Sequence, residues 1–230
     1  MLLNNWYPAG RATEIGATPY HTRMLGVDFV LFRDPQGKAH CLSDVCCHRG
    51  GAMRHGQVNV SETHGACIAC PYHGWEFDTS GACVKIPALG DDIKVPKRAR
   101  IDSYPVMEKY GLVYVFLGDA AEDDRPPVPD WFEPYYTAAD RRLLTFEYVY
   151  TETNWIRLGE NSVDTSHPSF VHRQFGNRLS PKVNIVPITE EPYGATVTRV
   201  RAAPPASVKS EAMQKLLPAD RKTTRVTLHF

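Results

Sequence analysis

Two short segments in the first half of the chain each place a histidine close to a cysteine. Residues 46–51 read Cys-Cys-His-Arg-Gly-Gly, and residues 70–75 read Cys-Pro-Tyr-His-Gly-Trp. The ligand spacing is Cys-x-His, an interval of 21 residues, and Cys-x-x-His. Thiolates and imidazoles bind zinc and iron, and the adjacent glycines allow the unusual backbone angles of tight loops. The pattern predicts one metal centre held by two loops.

The four donors leave two kinds of metal centre open. Two Cys and two His can hold zinc tetrahedrally, but Cys-x-His is tighter than the spacing usual in zinc hairpins. With their Pro-Tyr-His-Gly-Trp sequence, the segments resemble the Rieske [2Fe–2S] motif. The resemblance implies that Cys46 and Cys70 bind one iron and that His48 and His73 bind the other. The interval is longer than the family usually shows, which predicts a loop insertion around residues 61–65.

Mixed ligands predict a higher reduction potential than four thiolates would give. Neutral imidazoles make the cluster less negative, and Rieske centres span roughly −150 to +300 mV. Respiratory Rieske proteins add a disulfide and hydroxyl donors, at positions that are Gly51, Tyr72, Trp75 and Phe77 here. Because fewer hydrogen bonds to the cluster sulfurs lower the potential, the resemblance is to the oxygenase type rather than to a quinol oxidase.

A second group of candidate ligands lies in the second half of the chain. Asp164 and His167 are three residues apart, which on a helix would place them on one face, and His172 follows beyond Pro168. Two His and one carboxylate can hold a mononuclear Fe(II) with positions left open for dioxygen and substrate. Taken alone, however, Asp-x-x-His is more typical of a capping or surface pair.

The order of the motifs changes that interpretation. A Rieske motif, a proline-rich segment and then Glu-Asn-x-x-Asp-x-x-His-x-x-x-x-His resemble the α subunit of Rieske non-heme iron oxygenases. The resemblance implies that His167 and His172 are iron ligands. It also implies that Asp164 bridges the iron histidine to a cluster histidine, by analogy His73, across a subunit boundary in a homotrimer.

The family's third iron ligand is an Asp far downstream of the second histidine. No residue of this chain is assigned to that role. The acidic residues that follow His172 are Glu190, Glu191, Glu211 and Asp220.

The same resemblance implies an oxidoreductase. A separate reductase or ferredoxin would pass electrons from NAD(P)H through the cluster to the mononuclear iron. There dioxygen would be activated to hydroxylate or O-/N-demethylate a small aromatic substrate. The start of the Rieske-like region near Trp6, with no long leader, favours homotrimeric monooxygenases of the O-demethylase type over ring dioxygenases.

Two alternatives stay open at this point. One is an electron-transfer Rieske-type ferredoxin with a non-catalytic second domain, which would not need His167 and His172. The other is a zinc-bound structural module.

The composition is that of a globular chain of 230 residues, enough for one large or two small domains. With 26 basic and 26 acidic residues the formal net charge is zero, which argues against nucleic acid or an anionic membrane as a partner. The apolar run at residues 112–117 is far shorter than the ~20 residues of a membrane helix, and the polar start predicts no signal peptide. We expect a cytoplasmic protein whose six cysteines are metal ligands or bystanders rather than a disulfide framework.

The predicted fold class is α+β, in three parts. Residues 1–118 form an all-β Rieske domain, and residues 119–134, acidic with four prolines, form a linker. Residues 135–230 form the first part of a catalytic domain with a curved antiparallel sheet.

Short strands and turns predict the Rieske domain. Alternating apolar residues indicate a strand over residues 25–31, and residues 34–37 read as a turn. A hairpin is predicted over residues 75–86, and a buried strand over residues 110–117.

In the second domain a helix is predicted over residues 153–164, with Thr153 as its N-cap and Pro168 as its end. Strands are predicted at residues 143–150, 183–188, 194–202 and 226–230. Because the last pattern is unfinished, we expect the second domain to be cut short.

One basic run has no role in the metal sites. Residues 97–100 read Lys-Arg-Ala-Arg and could dock an acidic reductase or ferredoxin. A solvated loop is the alternative.

Overall fold

The structure is a computed structural model of the whole chain. It describes residues 3–90, 93–128, 130, 133, 137, 152–164, 166–172, 188–191, 194–200 and 223–229. The chain divides into two compact units, residues 1–145 and 146–230. The predicted domain boundaries at residues 118 and 134 stay predictions.

Antiparallel strands form the first unit. They are β1 (Asn5–Arg11), β2 (Tyr20–Met24), β3 (Val27–Arg33), β4 (Ala39–Ser43), β5 (Gln57–Ser61), β6 (Gly65–Ala69), β7 (Glu76–Asp78), β8 (Cys83–Lys85), β9 (Ser103–Tyr104), β10 (Val106–Lys109) and β11 (Leu112–Leu117). The described strands make three sheets, with the orders β1-β11-β10, β2-β3-β4-β9 and β5-β6-β7-β8. The predicted all-β domain is confirmed.

Strand β3 lies between two apolar cores. Val30 and Phe32 belong to a core shared with the third sheet, whereas Phe29 and Leu31 belong to a core shared with the first sheet. Successive side chains of a strand point to opposite faces, so all four are buried. The strand predicted from alternating apolar residues is present, and Val30 and Phe32 are buried as well because both faces are covered over this part of the strand.

Two strands begin later than predicted, for one shared reason. Leu25 and Gly26 have φ values of +51° and +82°, and Tyr110 and Gly111 have +55° and +76°. Positive φ at both central positions produces the tight hairpin turn that fits the twist of the flanking strands. Leu25 and Tyr110, which the prediction placed at the start of these two strands, are therefore the first central residues of turns.

The other turn predictions are confirmed. Asp34 Oδ1 accepts hydrogen bonds from the backbone N–H groups of Gln36 and Lys38, at 3.0 and 2.9 Å. In the β7–β8 hairpin, Asp78 Oδ1 accepts from the backbone N–H groups of Ser80 and Ala82, at 2.9 and 3.1 Å. Short acidic side chains favour turns because they accept these bonds locally.

The described residues of the second unit include the helices α1 (Trp155–Val163) and α2 (Pro168–Val171). The N-cap of α1 is Asn154, whose side chain accepts a hydrogen bond from the Ile156 N–H at 2.9 Å, so the predicted cap Thr153 is wrong by one residue. Pro168 does not end α1 but begins α2, since proline lacks the N–H that the first helical position leaves unpaired. Among the described residues, no helix is long and apolar enough to cross a membrane.

The described strands of this unit form an antiparallel sheet. It has the order β12-β13-β14 and consists of β12 (Ile188–Glu191), β13 (Gly194–Val200) and β14 (Thr223–His229). The strand predicted near the end of the chain is confirmed, and with it the α+β class. The predicted strand at residues 143–150 and most of the one at 183–188 lie outside the described residues.

Candidate metal centres

The loop that carries the first cysteine–histidine pair lies between β4 and β5. The backbone N–H of Cys46 donates to the carbonyl of Gly51 at 2.9 Å, and the N–H of Gly50 donates to the carbonyl of Cys46 at 2.9 Å. Val45 and Ala52 form a single β-bridge across its base. Loop 1, residues 46–51, is thus a closed turn.

Loop 2, residues 70–75, joins β6 to β7 and repeats this hydrogen bonding. The N–H of Cys70 donates to the carbonyl of Trp75 at 2.8 Å, and the N–H of Gly74 donates to the carbonyl of Cys70 at 3.0 Å. The predicted insertion falls in the β5–β6 turn, at the opposite end of β6 from Cys70. An insertion there leaves the metal-binding loop unchanged.

The two loops bring all four predicted ligands together. The Cys46 and Cys70 thiols are hydrogen-bonded to each other, and each residue is only 3% exposed. The imidazole rings of His48 and His73 lie side by side with centroids 4.6 Å apart, and both residues are exposed. Sulfur donors therefore occupy the inner end of the site and nitrogen donors the outer end.

The electrostatics of the site suit metal binding. Burial first, and then the neighbouring Cys70 thiol, raise the pKa of Cys46 to about 11. The pKa of His48 is lowered by partial burial and by the nearby His73 and Arg49. A cysteine must lose its proton to bind a metal, whereas a histidine must be neutral. The lowered pKa of His48 favours the neutral imidazole, whereas the raised pKa of Cys46 opposes ionisation of the thiol unless a metal's positive charge is close by.

Gly51 keeps the space between the loops clear. A Cβ atom at this position would lie 2.9 Å from the Cys70 sulfur and 3.4 Å from the Tyr72 Cβ, closer than such atoms pack. The site has two sulfur donors at one end, two nitrogen donors at the other, and a glycine without a side chain between them. This arrangement fits a [2Fe–2S] cluster with two protein ligands on each iron.

Aromatic side chains border the two histidines unequally. The Trp75 indole stacks on the His48 ring, with centroids 4.5 Å apart and planes 6° from parallel, and it also packs against the core. Tyr72 contacts His73 at 4.0 Å between centroids but is 65% exposed. His48 is therefore covered on one face, while His73 lies in the more open part of the site.

Sequence reasoning missed a buried ion pair beneath loop 1. Asp44 is 1% exposed, and its Oδ2 lies 2.8 Å from Nη1 of Arg54. Its Oδ1 accepts the backbone N–H of Arg54 at 2.7 Å, while its carbonyl accepts the N–H of Met53. This pair joins the two ends of the segment that carries Cys46 and His48. No periodicity in the sequence relates two polar residues ten positions apart.

The second candidate site lies at the break between α1 and α2. Helix α1 ends at Val163, so Asp164 and His167 do not share a helix face as predicted. They meet because the chain turns there, with His167 Nδ1 3.1 Å from Asp164 Oδ2. Asp164 Oδ1 accepts from the N–H and Oγ–H of Ser166, at 2.8 and 2.6 Å, which together with His167 lowers the pKa of Asp164 to about 2.

His172 ends the short helix α2 and faces back toward His167. The centroids of the two imidazole rings are 5.3 Å apart. The structure therefore brings His167 and His172 together, and their role as iron ligands stays a prediction. Among the described residues, no group of three or more His, Cys, Asp or Glu side chains is placed to hold one ion. Glu211 and Asp220 lie outside the described residues.

The remaining cysteines form no framework. All six cysteines are free. Cys41, Cys67 and Cys83 are buried strand residues, and Cys47 is exposed in loop 1. The interpretation of these four as bystanders rather than disulfide partners is confirmed as far as disulfides are concerned.

Residues 5–105 match the family described as Rieske [2Fe-2S] domain. The loops that converge on the thiol and imidazole pairs therefore belong to a Rieske domain.

Relatives extend the match beyond this domain. Over 170 residues the chain is 34% identical to the iron-sulfur subunit TsaM1 of the toluene-4-sulfonate monooxygenase system of Comamonas testosteroni. The matched region is 74% of this chain and 46% of that protein. It is 31% identical over 214 residues to the oxygenase subunit of 5,5'-dehydrodivanillate O-demethylase of Sphingobium sp., covering 87% and 47%. The chain thus spans less than half the length of these relatives.

Solved structures agree with this assignment. Dicamba monooxygenase bound to dicamba has a TM-score of 0.68 at 25% identity, covering 85% of this chain and 55% of that one. A mutant of NdmA of Pseudomonas putida CBB5 with theobromine has a TM-score of 0.69 at 26% identity, covering 85% and 57%. The chain belongs to the family of Rieske non-heme iron oxygenases. The predicted [2Fe–2S] cluster and mononuclear iron are the cofactors of this family.

Proposed function

We propose that this chain forms the electron-receiving part and the iron-binding helices of an oxygenase component. Cys46 and Cys70 bind the inner iron of the cluster, and His48 and His73 bind the outer iron. The observation that carries this proposal is the division of the donors into a buried pair of thiols and an exposed pair of imidazoles. The two imidazole ring centroids are 4.6 Å apart. A cluster held there supplies one-electron transfer, and a ferrous iron held by His167 and His172 supplies dioxygen activation.

The division between inner and outer donors has a direct consequence for electron transfer. The buried thiolates keep water away from the sulfur end of the site, where exposed sulfide would be open to attack. The exposed imidazole edges of His48 and His73 are the parts of the ligand shell that another protein surface can reach. We propose that electrons enter and leave by this edge.

Asp164 prepares His167 for metal binding. An ionised carboxylate 3.1 Å from Nδ1 holds a proton on that nitrogen, which leaves the Nε2 lone pair free for iron. Since the pKa of Asp164 is about 2, the carboxylate is ionised throughout the physiological range. By analogy with the family, Asp164 also accepts a hydrogen bond from His73 of a neighbouring subunit in a homotrimer.

The substrate class is proposed from the relatives. The names of three relatives contain toluene-4-sulfonate, 5,5'-dehydrodivanillate and dicamba, and two of these proteins are O-demethylases. We propose hydroxylation or O-/N-demethylation of a small aromatic compound by a cytoplasmic enzyme. One of these proteins is an oxygenase component and another is a subunit of a monooxygenase system, which supports a separate NAD(P)H-dependent electron donor here.

Iron and sulfide analysis of the anaerobically prepared chain tests the proposal. We expect about three irons and two acid-labile sulfides per chain, falling to about two irons in a His167→Ala/His172→Ala double variant and to about one in Cys46→Ala/Cys70→Ala. A value of two irons in the unmodified chain would favour the electron-transfer ferredoxin. Bound zinc without sulfide would contradict both.

A further inference from the structure

A group of exposed cations borders the proposed cluster site. The basic flank consists of Arg49 in loop 1 with Lys97, Arg98 and Arg100, all exposed. Between residues 93 and 101 the chain has basic residues and no acidic one, although its overall formal charge is zero. In the sequence this stretch is bounded by Asp91 and Asp92 on one side and by Asp102 on the other. The positive charge is thus confined to a short run of the chain.

Backbone contacts fix the basic flank to the cluster loops. The Arg100 N–H is hydrogen-bonded to the sulfur of Cys47, which lies between the two proposed ligands of loop 1. The Cys83 N–H donates to the Ala99 carbonyl at 2.9 Å, and Ala82 and Arg100 form a β-bridge. The segment is therefore held beside the His48 side of the site, not on a free loop.

The charges of this flank are available to another molecule. In the described part of the chain, no hydrogen bond or ion pair involves the side chains of Lys97 and Arg98, whereas Arg100 Nη2 donates only to the Ser80 carbonyl at 3.2 Å. Arg49 is close enough to His48 to lower the pKa of that ring. Unpaired cations next to a redox site attract anionic molecules over distances of about 10 Å at moderate salt.

We propose that the basic flank is the docking surface for an acidic one-electron donor protein, which delivers its electron on the His48 side of the cluster. This inference rests on the proposed function, and in particular on the position of His73. If His73 faces Asp164 of a neighbouring subunit, the His73 side is occupied and the donor must approach from the flank. One electron passes from the reduced centre of the donor, which is oxidised, to the oxidised [2Fe–2S] cluster, which is reduced, and no bond forms or breaks.

Stopped-flow reduction of the chain by an acidic plant-type [2Fe–2S] ferredoxin tests the proposal. This probe has a potential near about −400 mV and can reduce a Rieske centre. At low ionic strength the double variant Lys97→Glu/Arg98→Glu should be reduced about tenfold more slowly than the unmodified chain. Its rate should also lose most of its dependence on salt.

The matched control is Lys38→Glu, which reverses an exposed charge at the end of β4 remote from loop 1. It should behave like the unmodified chain. Reduced methyl viologen, a small cation, should reduce all three proteins without any loss of rate in the double variant, which shows that each cluster is intact.

If ferredoxin reduced the double variant as fast as the unmodified chain, the proposed docking surface would be wrong. It would also be wrong if Lys38→Glu lost as much rate as the double variant. A chain without a reducible cluster would instead overturn the proposed function, and the docking inference with it.

Discussion

Gly50 and Gly74 have the same backbone conformation, with φ = +69° in each. Each follows a proposed cysteine ligand by four residues, and each donates its N–H to the carbonyl of that cysteine. The two loops are therefore copies of one turn, although the histidine comes two residues after Cys46 and three after Cys70. A repeated turn places the two cysteine sulfurs symmetrically, and the unequal histidine offset places both imidazoles on the outer side.

Gly51 provides the most direct test of the space between the loops. In Gly51→Ala the new Cβ would lie 2.9 Å from the Cys70 sulfur, so we expect the iron and sulfide content to fall severalfold. The control is Gly50→Ala, where a Cβ would have no atom within 4 Å but φ is positive. That variant should lose about 1–2 kcal/mol of unfolding free energy and keep its cluster. Full cluster content in Gly51→Ala would contradict the proposed site.

The buried pair beneath loop 1 predicts a large loss of stability. Removing the charge in Asp44→Asn leaves the Arg54 guanidinium without its partner at 2.8 Å. Because the Arg54 side chain is 30% exposed and can be partly hydrated, we expect a loss of about 2–3 kcal/mol, measured by denaturant unfolding. Asp28→Asn, a more exposed carboxylate that also faces Arg54, should cost clearly less because solvent screens its interaction. Equal losses would show that burial of Asp44 is unimportant.

Asp164→Asn should separate electron transfer from cluster assembly. Unlike the Asp164 carboxylate, the neutral asparagine amide cannot both accept a hydrogen bond from His73 and hold the proton on His167. We expect an unchanged cluster spectrum with nearly abolished turnover, measured as oxygen consumption driven by a reduced donor. Ser166→Ala is the control, since it removes one hydrogen bond to Asp164 but keeps the contact with His167. Normal turnover in Asp164→Asn would remove its proposed role.

The Asp34–His40 pair predicts part of the pH dependence of folding. His40 Nε2 lies 2.8 Å from Asp34 Oδ2, and this hydrogen bond, with backbone N–H donors, lowers the Asp34 pKa below its ordinary value of 3.8. The stabilisation is therefore complete above that value and is lost as the pH falls below it. We expect Asp34→Asn to reduce the loss of unfolding free energy as the pH falls below about 4. The exposed carboxylate variant Glu62→Gln should leave the decline unchanged.

Local sequence rules predicted the parts of the fold that depend on neighbouring residues. The sequences Asp-Pro-Gln-Gly at residues 34–37 and Thr-Ser-Gly at residues 79–81 indicated turns, and the spacing of the cysteines and histidines indicated two loops. Leu25 was placed in a strand because it continues an alternation of apolar residues, and Tyr110 because it adjoins an apolar run. Only the pairing of the flanking strands shows that these two residues lie in turns.

In the candidate sites, too, the sequence predicted only features that depend on neighbouring residues. Cys46 and His48 could be proposed as ligands from the sequence because residue type and spacing are local properties. The Asp44–Arg54 pair and the stacking of Trp75 on His48 were not, since both arise only when separate segments meet. The relation between Asp164 and His167 was predicted from the wrong geometry, because a helix was assumed where the chain turns.

Pulsed EPR of the anaerobically reduced chain would show whether two cysteines and two histidines hold a [2Fe–2S] cluster. We expect a paramagnetic [2Fe–2S] signal with hyperfine coupling to nitrogens of two different histidines, and the signal should be absent in Cys46→Ala/Cys70→Ala. A signal without nitrogen coupling, or no reducible signal in iron-replete protein, would contradict ligation by His48 and His73.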